Sequence, residues 1–174
     1  MRVIWQVISA RSLLRGNNWS DFFGRVSLFA SLYIVSVPYS DRYPGIQIPP
    51  PCDLTLGMEC VEKSTAGVSI WKMRAEERFA NPTGVMQGGF IAAFIDSAMG
   101  AATVTYAGRK IYTSNIDLAV SFMNPARIDS ILTCVASVIS GGEKILFVDA
   151  DVHDEHQRHI CRAHSTYFLR ARES

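Results

Sequence analysis

The chain lacks a dominant charge. Seventeen Lys and Arg residues stand against sixteen Asp and Glu, a formal net charge of +1 over 174 residues. No run of four or more basic residues occurs. The strong positive field that gathers nucleic acid is therefore missing, and no nucleic-acid partner is expected. Paired cysteines are missing too. Cys52, Cys60, Cys134 and Cys161 form no CxxC unit, and their spacing fits no zinc or redox pattern. They read as reduced thiols of a reducing compartment, the cytoplasm. The apolar run VSLFASLYIVSV (26–37) is only twelve residues long, too short to cross a bilayer, and no small-x-small cleavage site follows it. No integral membrane span is expected.

What is present divides in two. Residues 1–40 carry Arg2, Arg11, Arg15 and Arg25 against one acid, Asp21, and are rich in serine. That composition reads either as an organelle-targeting segment, or as a poorly ordered extension or upstream sequence outside the working protein. YPGIQIPPPCD (43–53) reads as an extended proline-rich linker. A boundary is placed there, giving an extension over 1–50 and one folded domain over 51–174.

The domain reads as α+β. LGMECVEK (56–63) and GVSIWKMRA (67–75) are strand-like runs joined by a glycine-containing turn. Residues 77–89 form a loop with turn residues Asn81, Pro82 and Gly84. Residues 88–106 read as a helix, rich in Ala, Met, Phe and Ile, with Gly108 as its cap. Next comes a strand with Tyr112, Ser114, Ile116, Leu118, Val120 and Phe122 on one face. Further strand-like runs cover 130–140, 143–154 and 159–170, and are expected to pair antiparallel in succession. The helix is apolar nearly all round, so it is expected to lie buried with a sheet wrapped about it. Its small residues (Gly89, Ala92, Ala93, Ser97, Ala98, Gly100, Ala101, Ala102) allow close approach.

One carboxylate, Asp96, breaks this apolar helix. A buried acid without partners is costly, so it reads as a structural residue, an interface residue, or a catalytic base or nucleophile. QGG (87–89) at the helix start supplies a second clue. Free N–H groups and the positive dipole end sit there, and glycine lets an oxygen approach the backbone. The Gly88 N–H is a natural oxyanion donor. Gly88 and Asp96 lie eight residues apart, about 12 Å along a helix. One carbonyl cannot meet both within a single chain. If both act in one site, that site joins two chains, with two helices side by side and antiparallel.

These residues carry a resemblance. NPTGVMQGGFIAAFIDSAMG (81–100) resembles the signature of hotdog-fold acyl-CoA thioesterases of the PaaI type. TSNIDLAVSFMNPARID and GGEKILFVDADV…RHICRAHSTYFL resemble the family's following strand and closing hairpin. The resemblance covers about 54–170. It implies a hotdog fold, an antiparallel sheet around one long helix, in a homodimer or a dimer of dimers. It implies hydrolysis of an acyl-CoA with no cofactor and no metal. Asp96 matches the family's catalytic acid and Gly88 its oxyanion donor. Asn81 matches an asparagine that positions water or carbonyl, and Ser114 a serine that orients water. Gln87 stands where the family usually has histidine. Glutamine can polarise or orient but cannot titrate. That departure keeps a second reading open, a non-catalytic acyl-CoA-binding hotdog protein.

Other residues offer weaker candidates. Gly89 and Phe90 are expected to touch substrate, with Phe94 and Met99 shaping the acyl pocket. Lys144, Arg158 and Arg162 could meet the phosphates of CoA. His153, His156 and His159 invite a metal, but they straddle a hairpin turn and read better as solvated polar residues. His164 reads as a strand histidine.

Overall fold

The computed structural model describes residues 49–109 and 111–171. The expectations for the arginine-rich start, the 26–37 run and most of the linker fall outside these residues. The described part belongs to one compact unit, Gln47–Ser174.

Among the described residues a short helix, α1 (Pro51–Leu56), comes first. This corrects two expectations: 51–53 is not extended linker, and the first strand does not start at 56. Pro50 supplies an extended N-cap, Pro51 a preset φ in the first turn, and Gly57 a left-handed stop at φ 67°. Strand β1 is then only Glu59–Glu62, paired antiparallel with β2 (Val68–Arg74).

The central helix α2 runs Gly88–Ala107 and ends on Gly108, whose φ of 59° suits glycine. Strands β3 (Ile111–Asn115), β4 (Ala119–Phe122), β5 (Ile131–Gly141), β6 (Ile145–His153) and β7 (His159–Ala171) complete one seven-stranded antiparallel sheet. Its order is β1-β2-β5-β6-β7-β3, with β4 also on β7. The run β5-β6-β7 pairs in succession as expected. The 111–122 segment does not join its sequence neighbour but crosses to the far edge, against β7.

That segment is also broken. Asn115 pairs with Tyr167, but Ala119 pairs with His164, so four steps on one side meet three on the other. The extra residue bulges out at Ile116–Leu118 and reverses the side-chain alternation. Asp117 holds the bulge: its carbonyl accepts from Ser165 Oγ at 2.6 Å and its carboxylate from the Thr166 N–H at 2.9 Å. Ile111, Thr113 and Asn115 consequently face the helix before the bulge, and Leu118 and Val120 pack on the core after it. The single shared face expected over 112–122 does not exist.

The sheet covers one side of α2. Ile91, Phe94, Ile95, Ala98, Met99 and Ala102 are fully buried against Trp71, Met73, Leu132, Leu146 and Val148. Each such large side chain contributes about 1.5–3 kcal/mol of burial. Ser69 Oγ donates to the Ala98 carbonyl at 2.6 Å, tying β2 to the helix where small residues bring them close. The other side is bare. Gly89, Phe90, Ala93, Asp96, Val104 and Tyr106 are exposed in the single chain. The helix is thus not buried all round. It is long and apolar enough to cross a membrane by length and composition, but its role here is the core of the sheet.

Candidate functional site

The loop before α2 is built to place the helix start. A 3-10 turn at Glu77–Phe79 sinks the Phe79 ring into the core. Gln87 N–H donates to the Phe79 carbonyl at 2.8 Å, and Met86 N–H to the Ala126 carbonyl at 2.9 Å. Asn81 ties the loop: its Oδ1 accepts from the Thr83 N–H (2.9 Å) and hydroxyl (2.7 Å). Its main chain closes on Val85 and Gly84. The Asn81 carbonyl oxygen is therefore committed to its own turn, and only its amide N–H₂ remains for a ligand.

Gln87 is the N-cap of α2, exposed, with no capping bond from its side chain. The N–H groups of Gly88 and Gly89 stand in the first turn, where no helical carbonyl lies behind them. One face of Gly88 is covered, since a Cβ there would come 3.0 Å from Phe122 Cζ, whereas the same atom at Gly89 would meet open space. The Phe90 ring lies 4.7 Å from that of Phe79 and is partly exposed. Gln87, Gly88, Gly89, Phe90 and Phe122 thus form one apolar-walled corner with free main-chain donors. Phe94 and Met99 are fully buried against the sheet, so they support the core and do not line a pocket in this chain.

Asp96 sits two turns along the bare face. It is exposed, not buried, and it has partners. Asn115 Nδ2 donates to its Oδ1 at 2.5 Å, and Tyr167 OH lies 3.1 Å from the same oxygen. Tyr167 is 2% exposed. Burial, and then the Asp96 carboxylate beside it, push its phenol well above the ordinary value, so it remains a protonated donor. Neither Asn115 nor Tyr167 was singled out from sequence. Their signal was an alternation that the bulge conceals.

Ser114 takes the other side. It pairs with Phe168 on the exposed face of the sheet, while Asn115 and Tyr167 form the inward pair. The structure does not bring Ser114 to Asp96. Arg162 is also displaced. It stands on the outer face of β7, paired with Asp149 at 3.2 Å, and its charge is already matched. Lys144 lies in the β5–β6 turn, and its neighbours Gly142 and Glu143 border Tyr106 and Arg109 near the end of α2 remote from Gly88. Arg158 is held by Asp154 at 3.0 Å and by the Pro125 carbonyl at 3.1 Å.

No group of three potential metal ligands occurs among the described residues. His153 and His159 stack with ring centroids 4.6 Å apart. His159 Nε2 lies 2.8 Å from Asp151 Oδ1. All four cysteines are free. Burial raises Cys134, and pushes Cys161 up to about 12, which makes both inert core thiols.

Comparison with known proteins agrees with this architecture. The thioesterase superfamily matches residues 83–161, from the loop through α2 and into β7. No match was found among curated protein sequences. Among solved structures, the PaaI protein of the Escherichia coli phenylacetic acid degradation operon superposes with a TM-score of 0.66 at 16% identity, over 70% of this chain and 86% of that one. A hypothetical thioesterase of Streptococcus pneumoniae, solved with coenzyme A, gives 0.62 at 17%, over 67% and 91%. A Haemophilus influenzae thioesterase gives 0.63 at 20%, over 68% and 82%. The fold is the hotdog fold, an antiparallel sheet curled about one long helix. The resemblance to PaaI-type hotdog thioesterases read from the sequence holds in the fold and in the thioesterase-superfamily match over 83–161.

Proposed function

We propose that the protein hydrolyses acyl-CoA thioesters as a homodimer, with Asp96 as general base or nucleophile. The observation that carries this reading is the bare face of α2. It presents an oriented carboxylate with one unengaged oxygen and, two turns earlier, a helix start with free N–H groups. The spacing of about 12 Å separates them too far for one substrate carbonyl in one chain. Packing two α2 helices antiparallel through Gly89, Ala93, Asp96 and Gly100 would bring Asp96 of each chain toward Gly88 of the other. Gly89 and Gly100 have open space at their Cβ positions, which permits such an approach.

In the general-base form, Asp96 takes a proton from water as the water oxygen bonds to the thioester carbon. The carbonyl oxygen becomes an oxyanion facing the Gly88 N–H of the partner subunit, within about 3 Å. Gln87 and the Asn81 amide assist there by donation. The C–S bond then breaks, the proton on Asp96 passes to the departing sulfur, and free acid and CoA result. In the nucleophile form, Asp96 displaces CoA and water cleaves the resulting anhydride. Gly89, Phe90 and Phe122 wall the acyl side. Free thiols suit the reducing cytoplasm proposed as its location.

Gln87 favours one second reading, an acyl-CoA-binding protein without turnover, because an unbonded glutamine at the helix cap offers contact but no proton exchange. Thiol release from a panel of short, medium, long and aromatic acyl-CoAs separates the two. Turnover that falls about a hundredfold or more in Asp96→Ala supports the hydrolase. Binding without thiol release supports the second reading.

A further inference from the structure

Two donors converge on one oxygen of Asp96. Asn115 Nδ2 and Tyr167 OH both reach Oδ1, and no hydrogen bond among the described residues reaches Oδ2. The phenol also lies 3.1 Å from the main-chain carbonyl of Asp96 itself, the same distance as to Oδ1. A phenol carries one proton, so it satisfies one of these acceptors at a time. The carbonyl lies inside α2, where a helical N–H already serves it, so it tolerates losing the phenol. An ionised carboxylate is the stronger acceptor, and a protonated one the weaker.

We propose that Tyr167 and Asn115 are positioning residues that pin Oδ1 of Asp96, leave Oδ2 as the reacting oxygen, and let the phenol proton alternate between the carboxylate and the helix carbonyl during turnover. This rests on the hydrolase reading above, in its general-base form. At rest the phenol donates to Oδ1. When Oδ2 takes a proton from the attacking water, Oδ1 weakens as an acceptor and the phenol proton rotates to the carbonyl. When the proton leaves Oδ2 for the departing sulfur, the phenol returns. No heavy atom needs to move, because both distances are equal. The buried ring of Tyr167, held in β7 opposite Asn115, keeps this geometry fixed.

The test measures thiol release by the full chain and by Tyr167→Phe, Asn115→Ala, Asp96→Asn and the Tyr167→Phe/Asp96→Asn double variant. Phenylalanine keeps the ring and removes only the donor, and Asn115 is exposed, so its variant folds even if the tyrosine variant does not. The expected result is a fall in kcat of about ten- to a hundredfold for Tyr167→Phe and for Asn115→Ala, the range for a bond to a charged group, with KM within about twofold. In the Asp96→Asn background, removing the phenol costs nothing further. Unchanged kcat in both single variants overturns the role. So does a loss that adds in full to that of Asp96→Asn, since it would report general damage to the fold. No thiol release by the wild-type chain overturns the hydrolase reading and this role with it.

Discussion

Asp96 and Gly88 cannot meet on one carbonyl within one chain, and this separation can be tested by mixing dead variants. The first is Asp96→Ala. The second is Gly88→Pro, which deletes the N–H with little strain on the backbone. Gly88 is the first residue of α2, a position that favours proline, and Gln87 before it already has ψ 129°, as a residue preceding proline prefers. At the new Cβ the contact to relieve is Phe122 at 3.0 Å, and that ring is 51% exposed and can swing aside. Loss of one oxyanion donor costs about 10²–10³ in kcat, and loss of the base at least a similar factor. Unfolded together at equal amounts and refolded, the two variants give half heterodimers. Each heterodimer holds one site with both defects and one with neither. The mixture should therefore recover about one quarter of wild-type activity per chain, a consequence of two-fold symmetry alone. Differently tagged chains purified through both tags should recover about one half. The assay is thiol release on the best acyl-CoA found in the panel. If tagged heterodimers form and stay as inactive as their parents, the two groups do not act across the subunit boundary, and the dimeric site is wrong.

Phe94 has no exposure in the core between α2 and the sheet, so Phe94→Ala should cost about 3–5 kcal/mol in urea unfolding. Asn81→Ala removes the acceptor for Thr83 and frees the loop that sets the helix start; kcat/KM should fall about tenfold while the melting temperature changes little. Arg162→Ala should leave KM for acyl-CoA within about twofold, because the guanidinium lies on the outer face against Asp149; a rise of tenfold would return it to the site. Asp154 should contribute to acid sensitivity. Burial opposes its charge, but the N–H groups of Arg158 and His156 and the Arg158 guanidinium outweigh that and hold the carboxyl below its ordinary 3.8. A lowered folded value means its contribution is complete above about pH 4 and is lost as pH falls through the lowered value. Asp154→Asn should therefore flatten the stability-versus-pH curve in that acid window, and an unchanged curve would refute the assignment.

The helix and the sheet strands were legible because their signals are local. An Ala-rich apolar stretch ending in glycine specifies α2 whatever surrounds it, and Gly108 does stop it in the left-handed region. α1 was misread because a proline cluster suits both an extended linker and the first turn of a helix. The pairing of 111–122 with β7 was not legible for another reason. Sequence order favours neighbours, and no local residue encodes the crossing that brings the segment to the far edge against β7.

The candidate site shows the same limit more sharply. Asp96 was legible as an anomaly, one charge in an apolar helix. Its partners were not, because period-2 counting assumes an unbroken strand. From Phe122 back to Tyr112 that count puts all even residues on one face, and it assigns the inward role to Ser114. The extra residue at Ile116–Leu118 reverses the parity, so Asn115 faces the helix instead. The reason for the bulge is visible once the fold is known. Asp117 satisfies the Thr166 N–H and the Ser165 hydroxyl at the point where the ladder is interrupted, which offsets the lost strand pairing. The bulge is therefore part of how the site is made. It lets Leu118 and Val120 pack inward on the core while β3 delivers Asn115, one position off that rhythm, to the carboxylate. A continuous strand could place one set or the other on the inner face, but not both.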